Sequence, residues 1–501
     1  NAPFDTLLLG QDALFTDTLG LNIGGFIQLD LFETVVAFGS FEVTSSVQDI
    51  TDGQGTTILG AEVLVISLRG INLFAGVNGG LDVYDAAGAT AASEIEGKAF
   101  GIADGGTGFL AIDANLDLAI ITQPADNVLT TVVETRDALT WIAVAVEVDT
   151  ITARGLPEDL NIEVTNLTVR INQPSASGAP ITDANAGKKL NWATVSVVAG
   201  TMIEEITSEV DIRFGGAIEM NILNTVLVSG AFAGAIETLT DANSPTGTAG
   251  PTSIMTFRIS DVYLFAGTNG AFASDGDDVV TGILDQGTGF KVENLALDLA
   301  IVTETNLTTI NTVAQQRSWT ALYATTSAIA PVGLPEGLTI ALTELTIGVN
   351  ARAADGTQLD WAGIAQVQTL TVAQLSLGEE IILSGALTLD AFGFVSLSAT
   401  FDLIALGDLT AELDASNGVA EDASVLLIGL TITDLFIGQP GGVGIAVDGG
   451  NLALALISAT PAKDAAGVAL PLAATTTPGA VALIGGLDGG EITGLPDGLI
   501  V

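Results

Sequence analysis

Three unequal copies of one sequence pattern make up this chain, and no other feature constrains its fold as strongly. One phrase, centred on Leu-Phe-x-Gly, occurs at 71–79, 262–270 and 433–438. A second phrase, Gly-Leu-Pro, occurs at 155–157, 333–335 and 494–496. Repetition in a fixed order, at a period of roughly 160–190 residues, is typical of tandem arrays, in which each copy is one structural unit. We therefore expect one fold used three times, with each copy packed against the next.

The repeated phrases also predict where the copies begin and end. The predicted divisions are the tail end of a preceding repeat at 1–22, a first repeat at 23–208, a second at 209–380 and a truncated third at 381–501. Both ends of the chain therefore fall inside a repeat. We expect the sequence to be a window from a longer array.

Uncommon residues that keep their place in the copies are candidate structural anchors. The predicted anchors are Phe74, Phe265, Phe436, Gly155, Gly333, Gly494, Pro157, Pro335, Pro496, Trp141 and Trp319. Each of the two tryptophans stands fourteen residues before the glycine of Gly-Leu-Pro. Such rings either stack on carbohydrate or fill a recurring gap in a core. Ala480 at the third equivalent position favours the core, because a ligand platform would lose its ring there.

Apolar residues alternate with small or polar ones along most phrases, which indicates β-strands. In the run from Leu116 to Ile120, every second residue is a large aliphatic one. A period of two with many Val, Ile and Thr residues is the pattern of half-buried strands, here in runs of about 5–9 residues. The sequence therefore predicts an all-β, elongated tandem-repeat architecture. A β-solenoid is favoured over a string of β-sandwich modules, because the copies vary in length and lack Pro/Ser-rich linkers.

The charge of the chain argues against two classes of partner. There are 59 acidic and 13 basic residues, which gives a formal net charge of −46. A surface this acidic repels phosphates, so we expect no nucleic-acid partner. No apolar run reaches the roughly 18–20 residues that a spanning helix needs, so we also expect no membrane span.

The chain contains neither cysteine nor histidine. Disulfides, thiolate zinc sites and cysteine nucleophiles are therefore excluded, and so is the usual general base for catalysis near neutral pH. The five lysines occupy no matching position in the copies, so no Ser-Lys arrangement recurs. We predict that the protein is not an enzyme and has no catalytic residues or organic cofactor.

One segment leaves calcium open as a ligand. Asp275, Asp277 and Asp278 supply carboxylates in a short Gly-containing stretch, which resembles the acidic half of a calcium loop. The stretch lacks the downstream bidentate Glu of an EF-hand and the stacked nonapeptides of calcium-dependent β-rolls. An acidic surface loop is the alternative interpretation.

The copies resemble the β-rich tandem repeats of giant secreted bacterial surface proteins, which are adhesin-like or filament-forming. The segment 392–398, with its Phe-Gly-Phe-Val-Ser-Leu-Ser sequence, carries this resemblance together with the two recurring phrases. The resemblance implies an extracellular or cell-surface location, as in a biofilm matrix, and supplies no active-site residues.

Two functions follow from these observations. The first is a structural rod or filament that assembles with identical chains or neighbouring repeats through strand edges, and also through cations. The alternative is the stalk or binding segment of a large adhesin with a glycan or cell-surface ligand. A lipid-carrying groove is a third interpretation, suggested by the 48% hydrophobic content.

Overall fold

The structure is a computed structural model of the 501-residue chain. It describes residues 19–85, 94–95, 98–103, 105–125, 138–157, 160–176, 181, 183–239, 252–275, 279–304, 317–354, 356–411, 421–459 and 479–494.

The described chain is built from long β-strands, which confirms the prediction of an all-β protein. In chain order the strands are β1 Leu19–Leu31, β2 Val35–Thr51, β3 Thr57–Val77, β4 Leu81–Asp85, β5 Glu94–Ile95, β6 Lys98–Ile102, β7 Thr107–Gln123, β8 Leu139–Arg154, β9 Leu160–Gln173, β10 Val210–Ile222, β11 Val226–Leu239, β12 Thr252–Thr268, β13 Phe272–Ser274, β14 Val280–Ile283, β15 Thr288–Glu304, β16 Ser318–Val332, β17 Leu338–Ala351, β18 Glu379–Ala391, β19 Val395–Ala411, β20 Glu421–Gly438, β21 Gly444–Val447, β22 Gly450–Ala459, β23 Gly479–Leu487 and β24 Glu491–Thr493. Short 3-10 turns follow β9 and β17; they are Trp192–Thr194, Ser196–Val198, Met202–Glu205, Trp361–Gly363, Ala365–Val367 and Thr371–Gln374.

Nineteen of the described strands belong to one antiparallel sheet that is not closed. Strands that follow each other in the sheet are mostly neighbours in sequence, as in the run β1-β2-β3-β7-β8-β9 and the run β15-β16-β17-β18-β19-β20. Two small sheets are separate; they are β4-β6-β5, inserted between β3 and β7, and β13-β14, inserted between β12 and β15.

The same series of elements occurs more than once. Six long strands and a 3-10 segment follow each other from β1 and again from β10, and five strands of the series follow from β18. We call the members of each series the first to the sixth strand. The first strands are therefore β1, β10 and β18, and the sixth strands are β9 and β17. By internal contacts the chain divides into one unit of residues 1–219 and 233–238 and a second of 220–232 and 239–501.

Tight three-residue turns join each first strand to the second. The first two residues have positive φ in all three turns: Phe32-Glu33, Leu223-Asn224 and Phe392-Gly393. Positive φ at both positions is the geometry that matches the twist of a hairpin. A side-chain oxygen three residues earlier accepts a hydrogen bond from the second turn residue's N–H, and these acceptors are Asp30, Asn221 and Asp390. The recurring Asp/Asn of the first phrase is therefore a turn residue.

The expectation of strands of about 5–9 residues is wrong, because the long strands of the sheet mostly run for 13–21 residues. Inside these strands lie polar residues with positive φ. In the sequence, such residues interrupt the alternation of apolar side chains and look like the ends of strands. Asp261 in β12 lies between Ile259 and Val262, where the register with β15 shifts. Asn294 and Glu344 have the same backbone conformation inside β15 and β17. Such bulges bend a strand and reset its register without ending it.

The core of the first unit lies in two clusters near opposite ends of the strands. One cluster joins Trp141 and neighbouring residues of β2, β3, β7 and β8 to apolar residues of the 3-10 segment, among them Trp192 and Ile203. The other cluster contains Val36, Phe74 and Leu110. The 3-10 segment therefore covers one end of the sheet face, and its buried side chains supply the hydrophobic driving force for this packing.

The second unit repeats this arrangement with its own residues. Trp319 and Trp361 lie in one cluster with residues of β12 and β15. Phe265 lies in another cluster with Leu227, Ile283 and Val332. The β13-β14 hairpin contributes Ile283, so the small inserted sheet packs on the phenylalanine end of the strands.

Candidate functional site: buried anchors and the exposed first strand

The phenylalanines of the Leu-Phe-x-Gly phrase are enclosed by glycines. Phe74 and Phe265 are fully buried, and Phe436 is partly buried. A Cβ atom on Gly106 would lie 2.5 Å from the Phe74 ring. A Cβ atom on Gly444 would likewise lie 2.5 Å from the Phe436 ring. The glycines of the phrases thus leave room for the ring, which accounts for their recurrence.

The glycines of the Gly-Leu-Pro phrase form a tight crossing point. Gly155, Gly333 and Gly494 have φ values of +69°, +78° and +72°. A Cβ at any of them would overlap backbone at the start of the Gly-x-Gly phrase, so only glycine fits. The carbonyls of Pro157 and Pro335 accept hydrogen bonds from the first residues of β9 and β17. Pro496 lies outside the described residues.

The four tryptophans are in the core. Trp141, Trp192, Trp319 and Trp361 are 0–1% exposed, so their rings present no face to a sugar. Each indole N–H has a partner. Trp141 donates to the Lys188 carbonyl at 2.9 Å, and Trp319 donates to the Thr357 carbonyl at 3.1 Å.

A buried asparagine near the end of each sixth strand links the strand to the covering 3-10 segment. Asn172 accepts from Trp192 Nε1 at 2.9 Å and donates to the carbonyls of Leu190 and Thr207, both at 3.0 Å. Asn350 accepts from Trp361 Nε1 at 2.9 Å and donates to Ser376. Sequence analysis missed these residues. Their shared place in the Thr-x-Leu-Thr-x-x-x-Asn pattern is the signal that would have found them.

A buried aspartate on the fourth strand forms a second link. Asp117 is 0% exposed and binds Arg69 through both oxygens, at 2.7 and 2.9 Å. Asp298 is 3% exposed and binds Arg258 in the same bidentate way. One oxygen of each carboxylate also accepts a hydrogen bond from a backbone N–H of the 3-10 segment, that of Met202 or Thr371.

The two arginines are not at equivalent positions. When the two copies are aligned in sequence, Ser67 corresponds to Arg258 and Arg69 corresponds to Ser260. Positions two apart share one face of a strand, so an arginine at either reaches the same carboxylate. In the first copy the position that corresponds to Arg258 is Ser67, whose hydroxyl donates a hydrogen bond to Asp117 at 2.5 Å. The aspartates Asp117 and Asp298 correspond in the aligned copies, but their arginine partners do not. A comparison of the copies therefore does not reveal the ion pair.

Burial alone would raise the pKa of Asp298, because it disfavours the charged form. Hydrogen bonds from Arg258 and Thr371 outweigh this effect, so the pKa lies below its ordinary value. The carboxylate is therefore charged in the folded protein at neutral pH, and it stabilises the contact between the sheet and the 3-10 segment.

Of the predicted calcium ligands, the structure describes Asp275, while Asp277 and Asp278 lie outside its described residues. Asp275 closes the β13-β14 hairpin: its Oδ1 accepts from the Val279 N–H at 3.0 Å, and its own N–H donates to the Val279 carbonyl. Within the part of the chain that is described, no three acidic side chains are grouped as metal ligands.

An open groove of about 570 Å³ lies in the first unit between the sheet and the 3-10 segment. Its lining mixes apolar residues with polar ones, and the polar ones include Ser40, Glu42, Thr44, Arg69 and Thr201. Arg69 is partly exposed here while it holds Asp117.

The side chains of the first strand β1 are largely exposed. The strand pairs with β2 along its length, from Leu21 opposite Ser45 to Leu31 opposite Val35. Its aliphatic side chains are 37–48% exposed; they are Leu21, Ile23, Ile27, Leu29 and Leu31.

In the described chain, no helix is long and apolar enough to cross a membrane. No protein-family model matches the sequence, and searches of curated proteins and of solved structures find no match.

Proposed function

We propose that this protein is a structural component of an extracellular rod or filament. In this proposal, tandem β repeats add to one another through strand edges, in the manner of a solenoid in which each repeat contacts only its neighbours. The resemblance to giant secreted bacterial surface proteins supports the location and the role. The chain acts through its assembly and has no catalytic part.

The observation that carries this proposal is the junction between the second and third repeats. β17, the sixth strand of one repeat, pairs antiparallel with β18, the first strand of the next, over ten residue pairs from Leu338–Ala391 to Val349–Ile381. One repeat is therefore joined to the next by backbone hydrogen bonds of the kind that operate inside each repeat. A repeat built this way carries complementary edges at its two sides.

The use of the scarce basic residues supports the same proposal. Only 13 residues are basic, and eight of these form ion pairs within the described sheet and its covering segments. Arg170, for example, is buried between Glu147 and Glu205. Lysine and arginine often bind substrates or anions in other proteins. In this protein, most of them form ion pairs within the repeats.

Electron microscopy of the purified chain tests the proposal. We expect ordered fibres whose amount rises with protein concentration, because edge pairing is bimolecular. Discrete particles at every concentration, with no growth after days at high concentration, would refute it.

The cation part of the proposal has its own test. Divalent ions would screen the repulsion between chains that each carry a formal charge of −46. We expect millimolar Ca²⁺ to speed fibre growth and excess EDTA to slow it. Fibres that form equally fast in both conditions would remove cations from the mechanism and leave strand-edge assembly intact.

The groove in the first unit favours one second candidate, a binding segment of an adhesin. An open groove of about 570 Å³, with hydroxyl, carboxylate and guanidinium groups beside apolar side chains, suits a small hydroxyl-rich ligand such as a glycan. Binding on a glycan array that is lost on Thr44→Lys, at the groove wall, would support this candidate. An array without signal, together with ordered fibres, would decide for the structural role.

A further inference from the structure

We propose that the sheet carries an apolar face by which the chain packs against a second copy of itself. The apolar face lies at the end of the strands where Phe74 and Phe265 are buried, and it is the opposite face to the one that carries these two rings. This inference goes beyond the proposed function, because packing through sheet faces needs no pairing of strand edges. Two chains pair in this way whether or not fibres grow.

The strand registers show which residues of the first unit share the apolar face. Residues directly opposite each other on paired strands lie on one face of a sheet, as do alternate residues of one strand. Leu73 of β3 lies opposite Ala111 of β7, which in turn lies opposite Ile151 of β8. Two residues nearer the strand end, Ala75 lies opposite Phe109. These residues therefore form two rows across the strands, and all of them are apolar.

The second unit repeats the rows. Phe290 of β15 lies opposite Pro331 of β16. Two residues away on β16, Ile329 lies opposite Leu342 of β17, and Leu342 lies opposite Leu387 of β18. Further members of the rows, on β18, β19 and β20, are Leu389, Leu397 and Leu435. No residue named in these rows is charged, although the chain has 59 acidic residues.

Large side chains of the apolar face are in contact with water. Phe109 and Phe290 occupy the same place in the Gly-x-Gly phrase and are 55% and 62% exposed. The third copy has Ile445 there, which is 57% exposed. The opposite face is covered at this end, because Phe74 and Phe265 pack with residues of the small inserted sheets. Since an antiparallel sheet with one covered face normally has polar residues on the other, apolar residues on both faces indicate a partner for the exposed one.

The area of the apolar face is sufficient for a stable pair. In the second unit it extends over seven long strands in the order β12-β15-β16-β17-β18-β19-β20. With about 4.8 Å between strands and about 3.4 Å per residue, these strands over about four residues each cover about 500 Å². Two such faces bury about 1,000 Å² in total, which reaches the lower limit of a specific interface.

The charge of the chain favours a second copy as the partner. Each copy has a formal net charge of −46, so two copies repel each other wherever their acidic surfaces meet. On the apolar face they meet without bringing carboxylates together. Because both partners present the same rows, one two-fold axis satisfies both of them, and the two sheets pack about 10 Å apart, as in a β-sandwich.

Sedimentation velocity of the full chain, without added divalent ions, tests the pairing. We expect a monomer–dimer equilibrium whose dissociation constant falls as NaCl is raised from about 0.1 M to about 1 M, because salt screens the repulsion between acidic surfaces. Phe290→Asp places a carboxylate in the interface, where it loses water without gaining a partner, and should raise the dissociation constant at least about tenfold. A chain that stays monomeric at every concentration and salt would overturn the inference.

The matched control is Leu377→Asp, which adds the same charge at a side chain that is 60% exposed. Leu377 precedes β18, at the end of that strand away from the rows. In the first unit, Phe109→Asp should also weaken the dimer, and its control is Val47→Asp, because Val47 is 56% exposed and lies opposite Glu62 towards the other end of β2. All four substitutions replace exposed side chains, and urea unfolding checks that each variant is folded.

The remaining outcomes separate this contact from the filament function. Equal dissociation constants for the face variants and their controls would overturn the inference and leave assembly through strand edges intact. A chain that remains monomeric and instead binds phosphatidylcholine vesicles through Phe290 would also overturn it, because the partner would then be lipid. Loss of the dimer in Phe290→Asp with fibre growth unchanged would support it and would show that faces and edges act separately.

Discussion

Removal of the amide of Asn172 should release the 3-10 segment of the first unit from the sheet. The side chain is 2% exposed and makes three hydrogen bonds of 2.9–3.0 Å, one from the Trp192 indole and two to carbonyls that end the segment at either side. Asn172→Ala leaves the buried indole N–H without its acceptor, which costs about 1–3 kcal/mol, and the two carbonyls add about 1 kcal/mol. We expect a total of about 2–4 kcal/mol.

Hydrogen exchange followed by mass spectrometry measures this loss where it occurs. Amides inside the segment are hydrogen-bonded, for example Val198 to Val195 and Ile206 to Ile203. If they exchange through local opening, a loss of about 2–4 kcal/mol speeds exchange about 30- to 700-fold. Residues 359–375, which make the same contacts through Asn350, serve as a control within the same molecule.

Two results would refute this reasoning. Equal acceleration of both segments would mean that the substitution lowers global stability instead of opening the segment. Acceleration below about threefold in residues 190–206 would mean that the asparagine does not hold the segment. The reciprocal substitution Asn350→Ala should speed exchange in residues 359–375 and leave residues 190–206 unchanged. Each unit then serves as the control for the other.

Three further substitutions test other parts of the structure. Gly333→Ala should destabilise the chain by about 2–4 kcal/mol in urea unfolding, because a Cβ meets backbone at φ +78°, whereas Gly363→Ala, with open space around it, should have little effect. Burial and the nearby carboxylate of Glu163 raise the pKa of Glu219, so its stabilising contribution is present below its ordinary pKa and is lost as pH rises through the higher folded value. Glu219→Gln should therefore raise Tm at pH 7, and an unchanged Tm would contradict this. The pKa of Asp298 is lowered, so its contribution is present above its ordinary value and lost as pH falls through the lower folded value. Asp298→Asn should cost about 1–3 kcal/mol at pH 7 and flatten the acid limb of stability against pH; an unchanged acid limb would show that the carboxylate does not matter.

Much of the architecture follows from local sequence pattern. Alternation of apolar residues predicts strands, and the strands are there. The Gly-Leu-Pro and Gly-x-Gly phrases recur because backbone meets backbone at Gly155, Gly333 and Gly494, where any side chain would overlap a neighbour. Requirements of this kind leave a visible trace, since only one residue type satisfies them.

The strand lengths did not follow from the pattern. Asp261 and Glu344 are polar residues with positive φ in the interior of long strands, and polar residues at such points usually mark a turn. Whether a chain turns or bulges there is decided by the neighbouring strand, which continues its pairing past the irregularity. That information is non-local and is absent from a window of ten residues.

The covering 3-10 segments were missed for a related reason. They are a series of three- and four-residue turns, so their buried residues follow neither a period of two nor one of 3.6. Their place is set by Asn172 and Asp117, which are polar residues inside strands and read as ordinary strand polarity. Only the structure shows that both side chains bind the same segment.

The offset between Arg69 and Arg258 bears on how such a gene can change. Tandem repeats exchange segments by unequal crossover, and most crossover points here would join one complete repeat pattern to another. A crossover between the two alternative arginine positions would instead encode Ser at both, as at Ser67 and Ser260, or Arg at both. The first product buries a carboxylate without a cation, and the second places two cations at one carboxylate. The gene therefore contains a two-codon interval in which recombination unbalances a buried ion pair and should lower the stability of the encoded repeat.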